Sequence, residues 1–372
     1  MLSLVLRIKP PSIMDEGLYL QPSLFHSHND TDHKEDSPVS NNFSTTLGAV
    51  ILGLVFLLGV PGNLFVIWSI LARTRRRSIT TILILNLAFA DGILMALTIF
   101  FIIYLAKRTW IFGLFMCKCL FYLCNSNMYA SIFLITLMSL HRLVSVVFPS
   151  RVSSLASRRI VRRLIVGMWV LVMVISLPSL LFRGVTTNTA EKNFTRMVCA
   201  PKHTLSRNVR FQYTLETVAG FILPYALIIT SYALIMRRLR QTKFGRKIRS
   251  EKLILAIVVT FGIFWLPYHV VNMIQVAAEW YPQDSPTKER LDHISQACRA
   301  VTSALAFISS CANPVLYTFT AKSYIKRDGF AFMAKLFEAT LDQIGNKKGR
   351  VMGKDSVGTI NVDLIATRDS SR

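Results

Sequence analysis

Residues 47–71 form a run of 25 amino acids without a charge, closed abruptly by Arg73, Arg75, Arg76 and Arg77. About 20 apolar residues in a helix cross a bilayer core of roughly 30 Å. Within lipid, only a helix or a closed barrel satisfies every backbone N–H and C=O. The segment therefore predicts a membrane-crossing helix. Six further runs follow, at about 79–106, 115–148, 161–182, 211–236, 253–278 and 297–319. The expected fold class is an all-α integral membrane protein, a seven-transmembrane helix bundle over residues 47–320.

The formal net charge of +23 would ordinarily suggest a nucleic-acid partner. Its distribution argues otherwise. With 52% hydrophobic and 17% charged residues, the basic side chains fall in short bursts between apolar runs, the pattern of cytoplasmic loops under the positive-inside rule. Arg73, Arg75, Arg76 and Arg77 place the end of the first run inside and the amino terminus outside. The later inner loops then hold Arg151, Arg158, Arg159, Arg162 and Arg163, and eight Lys or Arg between Arg237 and Lys252. The outer loops are less basic, with Asp284 and Glu289 among their charges. The expected location is the plasma membrane, multi-pass, with no nucleic-acid partner.

Residues 1–46 read as a disordered, glycosylated outer tail with sequons at Asn29 and Asn42, and a third sequon at Asn193 lies in an outer loop. The opening MLSLVL meets Arg7, Lys9 and a Pro-Pro pair at once, so a cleavable signal peptide is not expected. Residues 321–341 alternate Phe330, Phe332, Met333, Leu336 and Phe337 with Lys322, Lys326, Arg327 and Lys335. That pattern predicts an amphipathic helix eight along the cytoplasmic interface. Residues 342–372 read as a disordered cytoplasmic tail whose Ser356, Thr359 and Thr367 serve either as phosphosites or as a solvated linker. No cysteine follows Cys311, so helix eight has no palmitoylation site. Of six cysteines, Cys117 and Cys199 lie in outer segments where a disulfide could persist, and the others read as small packing residues.

An ionisable group at bilayer depth costs at least about 2.5 to 3.5 kcal/mol, which singles out Asp91, as a functional group or as a structural hydrogen-bond hub. Around it the sequence carries Pro61-Gly62-Asn63 in span one, Asn86 to Asp91 in span two, Trp169 in span four and Pro224 with Tyr232 in span five. Phe261 to Tyr268 in span six includes Trp265 and Pro267, and Asn313-Pro314 with Tyr317 closes span seven. Together these resemble the rhodopsin-like (class A) G protein-coupled receptors over about residues 47–341.

The resemblance implies a receptor and not an enzyme, with no cofactor beyond an allosteric sodium ion. That ion would sit in a sodium and water site of Asp91, Asn127, Ser131, Ser310 and Asn313. It implies an activation switch of Arg142, Tyr232, Phe261, Trp265, Pro267, Pro314 and Tyr317, the prolines permitting kinks. It further implies a Cys117–Cys199 disulfide. The expected partners are a heterotrimeric G protein of the Gi or Gq class, arrestin and receptor kinases, and membrane lipid. One departure stands out. Where the family has an acid, an arginine and an aromatic residue, this chain has His141-Arg142-Leu143, and span six offers Lys247 where a lock needs a carboxylate. Either basal signalling is raised or other contacts make the lock.

Span seven has no lysine from Ala300 to Ala321 for a retinal Schiff base, and span three has no carboxylate from Phe115 to Leu140 for an amine. The outer half offers two cations, Arg183 and Arg299. Guanidinium forks suit a carboxylate ligand, and the alternative is snorkelling to lipid headgroups. The stretches Asn127 to Ser131, Leu215 to Phe221, Trp265 to Asn272 and Ala334 to Glu338 resemble the leukotriene B4 receptors. That resemblance implies a pocket of Tyr129, Arg183, Glu216, Tyr268, Asn272 and Arg299 for an acidic hydroxylated lipid agonist, leukotriene B4 or a related hydroxy fatty acid, in chemoattractant signalling. The arginines would take the carboxylate or hydroxyls, Glu216, Tyr129 and Asn272 the hydroxyls, and Phe121, Met128 and Phe307 the polyene chain. Phe121 replaces a histidine of the high-affinity type, and Lys118 beside Cys117 leans towards the low-affinity type 2. The alternative is a peptide chemoattractant receptor. A transporter would be expected to show repeats or several midplane charges, and neither is visible.

Overall fold

The computed structural model describes residues 42–73, 78–149, 157–190, 194–241 and 248–320. Span one is α1 (Asn42–Trp68) with a π-helical turn (Ser69–Arg73), span two α2 (Ile79–Lys107) and span three α3 (Gly113–Val147). Span four is α4 (Arg158–Ile175) with the short α5 (Leu177–Leu181). Span five is α6 (Ser206–Thr217) passing through a π-helical turn (Val218–Ile222) into α7 (Leu223–Gln241). Spans six and seven are α8 (Ile248–Ala278) and α9 (Pro286–Thr320). Between spans four and five, β1 (Arg183–Ala190) and β2 (Phe194–Pro201) form an antiparallel hairpin. Asn29, Asn193, Lys247, the amphipathic helix expected at 321–341 and the tail at 342–372 lie outside the described residues.

Several boundaries differ from the apolar runs. Residues 42–46, expected in the outer tail, are helical, α6 begins at Ser206 and α9 at Pro286. A helix keeps its internal hydrogen bonds beyond the hydrocarbon, so hydropathy marks the lipid boundary and not the helix end. Six helical segments are long and apolar enough to cross a membrane among the described residues. The outer part of α9 carries Lys288, Glu289, Arg290, Asp292 and Arg299, ahead of the uncharged stretch that begins at Ala300.

Local signals set the ends. Ser78 caps span two by accepting from Thr81 N at 3.0 Å, and Ser157 caps span four by accepting from Ile160 N at 3.4 Å. Arg108 closes span two in the left-handed region, φ 54°.

The interior reverses the plan of a water-soluble protein. Leu57, Leu58, Val166, Val170, Ile222 and Ile263 are exposed, while Asn63, Asp91 and Asn272 are fully buried. Lipid exerts no hydrophobic drive between helices, so close packing and polar contacts must join them. Leu87, Met128, Ile132, Ile135, Ile257 and Phe261 fill the centre. Span seven packs along six and one, and span three packs against two, four and five. Gly62 lets spans one and seven approach: a Cβ there would meet Pro314 Cβ and Cγ at 3.1 Å.

The hairpin is bound to the bundle. Cys117 and Cys199 form a disulfide. Trp110 N donates to Met197 O at 2.8 Å, Met197 N to Thr109 Oγ1 at 3.1 Å, and Lys202 N to Phe182 O at 2.8 Å.

Candidate ligand-binding site and polar core

Arg183, expected at the end of span four, instead opens β1 and pairs in register with Pro201. Its guanidinium lies 3.5 Å from the centre of the Phe121 ring of span three. Arg299 reaches in from span seven. Its Nη1 donates to Asn272 Oδ1 and its Nη2 to Gln275 Oε1, and it lies 5.0 Å from the Tyr213 ring and 5.5 Å from the Tyr268 ring. Neither arginine forms an ion pair with a carboxylate among the described residues.

Below the arginines lies Glu216, 2% exposed. Its Oε1 accepts from Asn125 Nδ2 at 2.8 Å and Gln212 Nε2 at 2.9 Å. Its Oε2 accepts from Tyr268 Oη at 3.0 Å and Asn272 Nδ2 at 3.2 Å. Spans three, five and six thus converge on one carboxylate, and Asn272 connects it to Arg299 in span seven. Gln212 Oε1 continues the chain to His203 Nε2 at 2.9 Å. His203 follows β2, and burial, the largest cause, with Arg183 nearby, holds its imidazole below the usual value.

Of the expected pocket residues, Glu216, Tyr268, Asn272 and Arg299 are joined by hydrogen bonds. Tyr129 stands apart: it is fully buried, and its hydroxyl has no partner among the described residues. Phe121 and Phe307 both pack on Phe101, with centroids 5.4 and 5.8 Å apart. Met128 is buried against the π-helical turn, where Gly220 leaves room for it. Asn125, Gln212 and Gln275 were not expected. Asn125 had a signal, a polar side chain at bilayer depth, and Gln212 had one in its i, i+4 spacing to Glu216. Gln275 showed none.

A second polar cluster occupies the middle of the bundle. Asp91 Oδ1 accepts from Asn127 Nδ2 at 3.1 Å and Ser131 Oγ at 3.3 Å, and Oδ2 from Asn313 Nδ2 at 2.7 Å. Ser310 Oγ donates to Asn127 Oδ1 at 3.4 Å. All five residues expected to share a site are therefore linked. Trp265 is tied in from above: Nε1 donates to Ser309 Oγ at 3.1 Å, and its ring stacks on Phe261 at 5.6 Å. Trp169 Nε1 donates to Asn86 Oδ1 at 3.2 Å, joining spans two and four.

Residues 62–317 match the family described as 7 transmembrane receptor (rhodopsin family). The chain belongs to that family. Within it, the chain is 37% identical to leukotriene B4 receptor 1 of Homo sapiens over 313 residues, 84% of this chain and 88% of the relative. It is 36% identical to leukotriene B4 receptor 2 of Rattus norvegicus over 324 residues, 86% of each. The two identities do not favour one type over the other. C-X-C chemokine receptor type 1 of Oryctolagus cuniculus is 32% identical over 305 residues, 81% of this chain and 83% of the relative. As a rhodopsin-family receptor the chain is a multi-pass membrane protein.

Proposed function

We propose that the chain is a G protein-coupled receptor for an acidic hydroxylated lipid, leukotriene B4 or a related hydroxy fatty acid. One observation carries the ligand class: Arg183 and Arg299 lie on aromatic rings at the outer end of the bundle, and neither is paired with a carboxylate among the described residues. A half-buried guanidinium bound by neutral amide oxygens keeps its charge available. A fatty-acid carboxylate would complete it, and the aromatic group of Phe101, Phe121 and Phe307 suits a hydrocarbon chain.

The ligand would act by differential affinity for one of two bundle arrangements. In this reading Trp265, bonded to Ser309 beside the Asp91 cluster, carries the change downwards. Phe261, Tyr232, Pro267, Pro314 and Tyr317 take part, and Arg142 meets the G protein, of the Gi or Gq class. The all-oxygen and amide surroundings of Asp91 suit a sodium ion, held chiefly by Asp91 and Ser131. The amino terminus lies outside and the basic loops inside. Arrestin and receptor kinases engage the cytoplasmic side.

The test is G protein activation in transfected cells by leukotriene B4, other hydroxylated fatty acids and chemoattractant peptides. Arg183→Ala and Arg299→Ala should each weaken the active acid by about 1.5 to 3 kcal/mol, or ~10- to 150-fold. Unchanged potency in both variants would end the carboxylate proposal, and a response to peptides alone would favour the peptide receptor. Epitope tags at the two termini should label opposite sides of the membrane.

A further inference from the structure

We propose that Glu216 is a positioning residue for the anion-binding Arg299 and does not itself receive a ligand hydroxyl. This inference rests on the acidic-lipid reading above.

The resemblance assigns Glu216 to a hydroxyl of the ligand, and the geometry points elsewhere. A carboxylate has about four lone-pair sites, and four donors from Asn125, Gln212, Tyr268 and Asn272 already fill them at 2.8 to 3.2 Å. The side chain is 2% exposed. A ligand hydroxyl could bond Glu216 only by displacing one of these partners, each of which would then be a buried polar group left unsatisfied.

The same bonds fix the next residue outwards. A carboxylate only accepts, so Asn272 must turn its Nδ2 towards Glu216. Its Oδ1 then faces the opposite way, where Arg299 Nη1 donates to it. Gln275 Oε1 takes Nη2. The guanidinium is thereby oriented by two neutral acceptors and keeps further N–H donors for an incoming anion. Glu216 sets that orientation from the far side of Asn272 without neutralising the arginine by direct pairing.

Leukotriene B4, its methyl ester and its monodeoxy analogues separate the two roles in G protein activation, with surface amounts of each variant measured in parallel. In the wild type the acid should exceed the ester, and failure of that difference would count against the acidic-lipid reading itself. Glu216→Gln should lower the acid-to-ester potency ratio by ~10-fold and leave the ratio of each deoxy analogue to the parent unchanged. In an Arg299→Ala background it should change the acid-to-ester ratio no further. The opposite pattern overturns the proposal: a deoxy penalty abolished by Glu216→Gln with the acid preference intact. If Glu216→Gln does not reach the surface, Asn272→Leu decides. It should lower the acid-to-ester ratio to the level of Arg299→Ala, and an unchanged ratio overturns the relay.

Discussion

The Arg183 guanidinium faces the Phe121 ring at 3.5 Å, a cation held on an aromatic surface between the hairpin and span three. The contact is worth about 0.5 to 2 kcal/mol, depending on how dry the site is. Phe121→Leu keeps the apolar volume and removes the π face. It should weaken an acidic agonist by ~2- to 30-fold and its methyl ester much less, as read in dose-response curves. Equal losses for both would mean that Phe121 serves the hydrocarbon chain alone.

The Cys117–Cys199 disulfide closes a sequence separation of 82 residues and holds the hairpin that carries Arg183. Loss of a disulfide commonly costs about 2 to 5 kcal/mol. Cys199→Ser should lower the thermal stability of the purified receptor and also reduce potency for the acid, because the hairpin no longer holds Arg183 against Phe121 of span three. Melting curves with and without reductant, set beside the variant, check both parts.

The membrane part of the fold was legible because lipid leaves few choices: charge-free runs must be helices, and arginine bursts orient them. Asp91, Asn127, Ser131, Ser310 and Asn313 were legible as a group through their motifs, and they are hydrogen-bonded together. Three things were not. The outer ends of α6 and α9 are polar helix beyond the lipid, which hydropathy cannot see. Arg183 belongs to a strand because the chain turns after Leu181, a tertiary feature pinned by the disulfide. The saturation of Glu216 depends on donors from three spans, and no single segment reveals how many arrive.

Two glycines of span one make a matched pair. A Cβ at Gly62 would meet the rigid Pro314 ring at 3.1 Å, whereas one at Gly53 would meet nothing within 4 Å. Gly62→Ala should destabilise the receptor by roughly 1 to 3 kcal/mol, the usual cost of overpacking, because span seven must shift. Gly53→Ala should be neutral or slightly stabilising through helix propensity. Melting temperatures of the two variants in one detergent give the comparison, and equal effects would contradict the close approach of spans one and seven.

At the outer end, Lys288 Nζ bonds Glu279 Oε1 at 2.9 Å and Asp292 Oδ2 at 3.3 Å, while Arg210 lies 4.5 Å from the Trp280 ring. These contacts join the outer ends of spans five, six and seven. Burial alone would raise Glu279, but hydrogen bonds from Ser206 and Lys288 and the charges of Lys288 and Arg210 bring it below its ordinary value of 4.5. A depressed carboxylate contributes stability that is complete above its ordinary value and is lost as pH falls through the depressed one. Thermal stability should therefore drop on the acid side of about pH 4.5. Glu279→Gln should lower stability at neutral pH and flatten that part of the profile. An unchanged acid limb in the variant would assign it to other carboxylates.

At the inner end of span three, His141 stands where the family carries an acid. Its Nδ1 is buried with no hydrogen-bond partner among the described residues. The residue preceding Arg142 is thus an imidazole and not a carboxylate, and an imidazole gives a guanidinium no comparable charge pairing. Restoring the acid by His141→Asp should stabilise the inactive arrangement selectively. A differential of about 1.4 kcal/mol between the two arrangements would reduce the active fraction ~10-fold where it is small. Ligand-independent G protein activation, normalised to the amount of receptor at the surface, should fall accordingly, and agonist potency should shift to higher concentration in the same variant. Basal activity that stayed at the wild-type level would show that other contacts already restrain Arg142 and that His141 does not raise resting signalling.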